Sequence, residues 1–214
     1  MGKVFFMVGT SLDGYMAPEG MDMAHADDPS FNDWMAQWME MQKWVGEQKF
    51  FRENLGLGEG GETGRDNQFL EETFARTGVS IMGKRMFDGG ERFWPEEAPF
   101  HTPVFVLTNQ VRSPWERPGG TTFYFVNDGI ESALRQAREA AGNRDIRIAG
   151  GADVIQQYLN AGLVDEFSVS MAPLFFGGGR RLFEEIDRTK NGLELVEAVN
   201  SPLVTHLRYT VTKQ

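Results

Sequence analysis

The sequence predicts a single α/β domain built on a mixed, mostly parallel sheet that ends in an antiparallel hairpin, with helices on both faces. Three observations carry that expectation. Between residues 79 and 173, short apolar runs alternate with stretches of helical periodicity, the order produced by parallel strands joined through crossover helices. Two longer runs, 193–200 and 203–212, then flank Ser201-Pro202 and read as a hairpin. With 214 residues, 41% of them hydrophobic and 24% charged, the chain can bury one sizeable core, and no linker or internal repeat divides it.

Each element has its own signal. Residues 3–9, KVFFMVG, form an apolar run closed by Gly9 and the turn-like Asp13-Gly14, which predicts a buried first strand. At Phe31 the period changes. Phe31, Trp34, Met35, Trp38, Met41 and Val45 recur at spacings of three and four, so a helix is expected over 31–50. Ser30 is placed to cap it, Asp33 to supply a first-turn acid, and Pro29 to bar an earlier start. Residues 56–64 carry five glycines in nine positions and predict a loop, with a second short helix over 67–76. Strands are expected at 79–82, 103–108, 121–126, 145–150 and 164–173, and helices from Lys84, over 129–141 and over 151–162.

Composition excludes several classes of function. The sequence has no cysteine, which removes disulfide scaffolds, thiolate zinc sites and a cysteine nucleophile. His25, His101 and His206 lie far from one another, without the close spacing of a zinc helix, so no metal is expected. No apolar run approaches the ~20 residues that span a bilayer, and the N-terminal apolar stretch is too short for a secretory signal. A cytoplasmic location and no membrane partner are therefore expected. The net charge of −10 is concentrated: residues 13–72 hold 14 acids against four bases, and the rest of the chain is balanced. With bases scattered and outnumbered, no groove for nucleic acid is expected, and the acidic stretch reads as a solvated face.

The chemistry is expected at the glycine-bearing strand ends. In an α/β sheet the ligand crevice lies beyond the carboxyl ends of the strands, where helix N-termini present free N–H groups. Strand 79–82 runs into Gly83-Lys84-Arg85, strand 103–108 into Thr108-Asn109 with Arg112 nearby, and strand 145–149 into Gly150-Gly151-Ala152-Asp153 at a helix start. Three such ends on one edge suit a nucleotide with several phosphates, although neither a Walker lysine motif nor G-x-G-x-x-G is present. Two cations at a helix start are disfavoured by the helix dipole unless an anion binds beside them.

These segments resemble a known family. SLDGYMA (11–17), SIMGKRMFDG (80–89), PVFVLTN (103–109) and above all IRIAGGADVIQQYLNAGLVDEFSVSMAPLFFGGGRRLF (146–183) are similar to the reductase domain at the C-terminus of the riboflavin-biosynthesis deaminase-reductase, within the dihydrofolate-reductase-like superfamily. The likeness covers nearly the whole chain except about residues 18–75. It implies a three-layer α/β/α fold and an NADPH-dependent reductase that transfers a hydride to a pyrimidine- or pterin-like substrate, as in reduction of 5-amino-6-(5-phosphoribosylamino)uracil. By position in the family motifs, Val8 and Gly9 would border the nicotinamide. Gly83, Lys84 and Arg85 would hold phosphates, Lys84 or Arg85 taking the 2′-phosphate, while Thr108 and Asn109 would meet the adenosine ribose. Gly150, Gly151, Ala152 and Asp153 would face the pyrophosphate.

At the substrate end Asp13 is the leading catalytic and substrate-binding candidate, although Asp-Gly is also a favoured turn. Asp33 would stand where dihydrofolate reductases carry a helix carboxylate, but it is more economically a capping acid, and Glu184 and Glu185 read as solvated. The family often has a base where Tyr15 stands here, and residues 13–42 contain no base, so a substrate phosphate would need Lys43 or Arg65. No deaminase zinc pattern is present. Trp34 and Trp38 could stack on an aromatic ligand. Large apolar residues on more than one face of 31–50, Trp44 and Met39 among them, and the edge of the 193–212 hairpin point to a homodimer. Two alternatives remain open: a related enzyme acting on another pteridine or a xenobiotic, and a non-catalytic nucleotide- or flavin-binding protein.

Overall fold

A computed structural model describes residues 1–22 and 28–213; His25 lies outside them. The chain begins with β1 (Val4–Ser11) and β2 (Tyr15–Ala17), then α1 (Phe31–Met41), α2 (Lys43–Gly46), α3 (Lys49–Asn54) and α4 (Arg65–Arg76). Strand and helix alternate through β3 (Thr77–Gly83), α5 (Lys84–Phe93), β4 (Pro103–Leu107), β5 (Trp115–Glu116), β6 (Thr122–Val126), α6 (Ile130–Ala141), β7 (Asp145–Gly150), α7 (Ala152–Asn160) and β8 (Glu166–Ala172). It closes with β9 (Arg180–Arg181), β10 (Asn191–Asn200) and β11 (Thr205–Lys213).

Among the described residues these strands form a nine-stranded sheet in the order β10–β11–β8–β1–β7–β3–β4–β6–β5, and β2 pairs with β9 in a separate ribbon. From β8 to β6 the neighbours are parallel; β11 is antiparallel to β8, and β10 to β11. The expected mixed sheet with its C-terminal hairpin is therefore present.

Alternation along β1 assigns the two faces. Val4, Phe6 and Val8 pack with Ala133 and Leu134 of α6 and with Ile155 and Tyr158 of α7. Met7 points the other way, into a cluster with Trp44 of α2 and Phe69 and Leu70 of α4. Further along that second face, Phe87 of α5 packs on Met82, Val104 and Phe123. The result is three layers, helix, sheet and helix, as expected. At the amino edge Arg76 closes α4 onto the sheet through Asp145 at 2.6 Å and Glu166 at 2.5 Å.

The 31–50 region departs from the single helix that its periodicity predicts. The helix breaks at Gln42 (φ −88°, ψ 4°) and again before α3, where Gln48 is extended (φ −80°, ψ 138°). Apolar spacing survives the breaks: Trp34 and Met41 of α1 and Trp44 of α2 are buried, and Phe50 and Phe51 of α3 pack partly buried against the Trp44 cluster. Ser30 makes no side-chain cap; Asp28 instead accepts both its N–H and its hydroxyl. Trp44 is only 2% exposed and stacks edge-on to His206, so its burial is satisfied within the chain and no longer argues for a dimer. Met39 remains exposed.

Candidate active site

Because β1, β7, β3, β4 and β6 are parallel, their carboxyl ends share one edge, and α5 and α7 begin there. Both helices start from a glycine in extended conformation, Gly83 and Gly151, with no side chain capping the first turn. The amides of those turns are thus available to a ligand or to water. The glycines serve different ends. A Cβ on Gly83 would lie 2.9 Å from Val154 Cγ2, so the bare backbone lets α7 pack against β3. A Cβ on Gly151 would meet nothing within 4 Å, so this turn faces open space. Gly150, at φ +130° and joined to Gly151 by a cis peptide, is flanked by the side chains of Met86 and Met16. Two uncapped helix starts on either side of an open glycine turn form a cradle that fits a pyrophosphate group.

The charges around this cradle are arranged unevenly. Lys84 is engaged by Asp88 one turn along α5. Arg85 has 76% of its side chain exposed and lies 3.6 Å from Asp153 of α7. Asp153 also meets Arg180 of β9 at 3.1 Å. Arg85 and Arg180 therefore converge on the start of α7 and leave Asp153 compensated. Sequence reasoning did not single out Arg180; the Gly-Gly-Gly-Arg-Arg run at 177–181 was its available signal. Thr108 follows β4 on the same edge, with its N–H bonded to Val126 and its hydroxyl accepting from the amide of Gln110, while Asn109 is exposed. Arg112 is consumed locally, bonded to Glu91 at 2.5 Å and lying over Phe125, and Glu91 holds its pKa above the usual value.

At the end of β1 the predicted residues part company. Val8 is packed in the core against α7, so only its backbone borders the crevice. Gly9 lies against Gln42: a Cβ there would sit 3.1 Å from Gln42 Nε2 and 3.5 Å from Oε1. Asp13 accepts the Ser11 hydroxyl at 2.6 Å and the amides of Phe176 and Gly177 at 3.1 and 2.8 Å. Desolvation works against its ionisation, but these three donors prevail and hold its carboxyl below the usual carboxylate range. Both carboxylate oxygens thereby clamp the glycine-rich turn after β8, which leaves Asp13 an acceptor and not a proton donor. Its backbone carbonyl also accepts from Arg181, whose guanidinium lies 4.4 Å from the centre of the Tyr15 ring. Tyr15 is buried beneath it.

Trp34, expected to stack on a ligand, is 2% exposed and packs edge-on to Phe31 at 4.5 Å, so its faces are spent on the core. Trp38 is half-buried, and Asp33, Glu184 and Glu185 are exposed. Lys43 sits 3.8 Å from Glu47, and Arg65 is held by Glu72 at 2.7 Å and Glu197 at 3.0 Å, so both reserve phosphate partners already face carboxylates. Sequence reasoning missed Gln42, since no periodicity marks a helix break.

Comparison with known proteins agrees with this arrangement. Residues 2–207 match the RibD C-terminal domain family. The uncharacterised protein YyaP of Bacillus subtilis (strain 168) is 37% identical over 67 residues, a stretch spanning 31% of this chain and 35% of that protein. A protein assigned to riboflavin biosynthesis from Shewanella sp. PV-4 shares the fold with a TM-score of 0.67 at 20% identity, over 99% of both chains. Dihydrofolate reductase from Enterococcus faecalis, solved with NADP(H), superposes with a TM-score of 0.56 at 15% identity, over 99% of this chain and 98% of that one. The glycine-ended strands, the two open helix starts and a family match over nearly the whole length lead to one conclusion: the chain belongs to the RibD C-terminal domain family of NADPH-dependent reductases and has the dihydrofolate-reductase-like fold.

Proposed function

We propose that this protein is an NADPH-dependent reductase that delivers a hydride to a pyrimidine- or pterin-like ring, as in reduction of 5-amino-6-(5-phosphoribosylamino)uracil. The observation that carries this reading is the cradle at Gly83 and Gly150-Gly151, where α5 and α7 offer unused amides around a turn that faces open space. Bound NADPH would supply the hydride. The chain's own residues bind and orient: first-turn amides and Arg85 and Arg180 take phosphate oxygens, and the backbone of Val8 and Gly9 borders the nicotinamide at the end of β1. Asp13 acts as a positioning residue that fixes the turn at 176–177, so the proton that accompanies the hydride comes from water admitted with the substrate. Oxidation of NADPH on addition of the phosphoribosylaminouracil tests the reaction.

The engagement of Asp13 with the 176–177 turn favours one alternative, a nucleotide-binding protein without turnover. NADPH binding with no oxidation across pyrimidine and pteridine substrates would select it. We further propose a homodimer in the cytoplasm. Leu193, Leu195 and Val196 are more than half exposed on β10, an edge strand whose outer backbone groups have no neighbouring strand among the described residues. Light scattering at micromolar concentration should give twice the 24.1 kDa monomer mass; a stable monomer would refute the pairing.

A further inference from the structure

We propose that Gln42 is the residue that reads the substrate ring, and that it selects a neutral lactam edge, the adjacent C=O and N–H of a uracil-like heterocycle. The inference rests on the reductase reading for the location of the ring but on the geometry of Gln42 for its chemistry. Gln42 occupies the break between α1 and α2, the one turn in the 31–46 stretch where the backbone leaves helical geometry. That break delivers its carboxamide to the carboxyl end of β1, within 3.1–3.5 Å of where a side chain on Gly9 would begin. Among the described residues the carboxamide has no hydrogen-bond partner, although it is half-buried. Neither of its polar atoms is cut off from solvent, so both stay open to a ligand.

The chemistry of the group narrows the ligand. A carboxamide offers one acceptor and a donor side by side, whichever way the amide is turned. That pair complements an N–H beside a C=O through two parallel hydrogen bonds. It cannot neutralise a cation. A ring that must be protonated to bind, such as a 2,4-diaminopyrimidinium, instead wants a carboxylate, and Asp13 is already engaged by Ser11, Phe176 and Gly177 in holding the turn after β8. The two acids on α1, Asp33 and Glu40, are both exposed.

Binding of two probes to the protein saturated with NADP⁺ tests this: 5,6-diaminouracil, and 2,4-diaminopyrimidine at a pH where its ring is protonated. Wild-type protein should prefer the uracil by about tenfold or more. The isosteric Gln42→Glu should reverse that order, and Gln42→Leu should weaken the uracil by about tenfold while leaving NADPH affinity unchanged. Equal affinities for the uracil in wild type and both variants, a wild-type preference for the diaminopyrimidine, or binding of neither probe would overturn the assignment. Titration with NADPH alone is the separate arm: if NADPH does not bind, the reductase reading fails whatever the probes show, and if it binds while the variants change nothing, only the role of Gln42 fails.

Discussion

The carboxyl edge of the parallel sheet and the 31–76 helical segment contribute to one crevice by opposite means. The edge is made of backbone: Gly83 lets α7 pack close against β3, Gly151 opens onto free space, and the first-turn amides of α5 and α7 carry no side-chain cap. The helical segment is made of side chains. Trp44, Phe69 and Leu70 anchor it on Met7, and the break at Gln42 presents a single polar group to Gly9. The difference teaches where each kind of specificity resides. Phosphate recognition through amides needs glycine and geometry, and is indifferent to most neighbouring side chains. Ring recognition needs a particular functional group held by packing, and the packing can be paid for anywhere in sequence.

The largest expected effect is on the packed side of that contrast. Trp44→Ala removes a side chain buried to 98% and should destabilise the fold by about 3–5 kcal/mol. Trp44→Phe should cost much less, because the indole Nε1 is buried without a partner and its loss relieves that penalty. Denaturant midpoints check both; equal losses would mean that the indole nitrogen finds a partner in solution.

On the backbone side, Gly151→Val should weaken NADPH binding at least 100-fold, about 2.8 kcal/mol, with the circular dichroism unchanged. Its backbone is at φ −73°, which valine accepts, and its side chain would enter open space where the phosphates are expected. A folded variant with normal affinity would move the cradle elsewhere. A smaller effect separates the two cations. Arg85→Ala should cut the preference for NADPH over NADH by roughly tenfold, about 1.4 kcal/mol, and Lys84→Ala by less, because Asp88 already engages Lys84. The reverse ranking in a cofactor titration would show that the ion pair with Asp88 opens on binding.

The smallest effect concerns the polar layer under the helical segment. His206 is fully buried, with Nδ1 2.8 Å from Ser170 Oγ and Nε2 3.1 Å from Asp66 Oδ1. Burial pushes its pKa below the ordinary histidine value; Asp66 and Glu197 pull upward and Arg65 pushes downward, without overcoming burial. The unfolded chain therefore takes up this proton before the native protein does. The stability His206 contributes is complete above about pH 6.5 and declines as the pH falls below it toward the native value. The difference in thermal midpoint between pH 7 and pH 5.5 should be larger for wild type than for His206→Gln, by a few degrees. Identical pH dependence would show that His206 has the same pKa in the folded and unfolded chain.

What the sequence revealed divides along the same line. Strand ends at Gly83 and Gly150-Gly151 were legible because a backbone requirement leaves glycine as its mark. Alternating and helical periods located the six parallel strands and the hairpin. The ribbon of β2 with β9 and the two-residue β5 were not legible, since such short strands exist only by virtue of their partners. Asp13 looked like a free carboxylate because its donors, Phe176 and Gly177, lie more than 160 residues away. Trp34 and Trp44 looked available for ligands or a second subunit because periodicity counts apolar residues without showing how deep each one sits. Gln42 left no signal, because the apolar spacing of 31–45 runs straight through the break that positions it.

The central claim, that the backbone edge holds the dinucleotide, is tested most directly by amide hydrogen exchange with and without saturating NADPH. Protection should appear at residues 83–86 and 151–154, the first turns of α5 and α7, where amides now lack caps. NADPH binding without protection at either helix start, or with protection confined to other segments, would contradict the account.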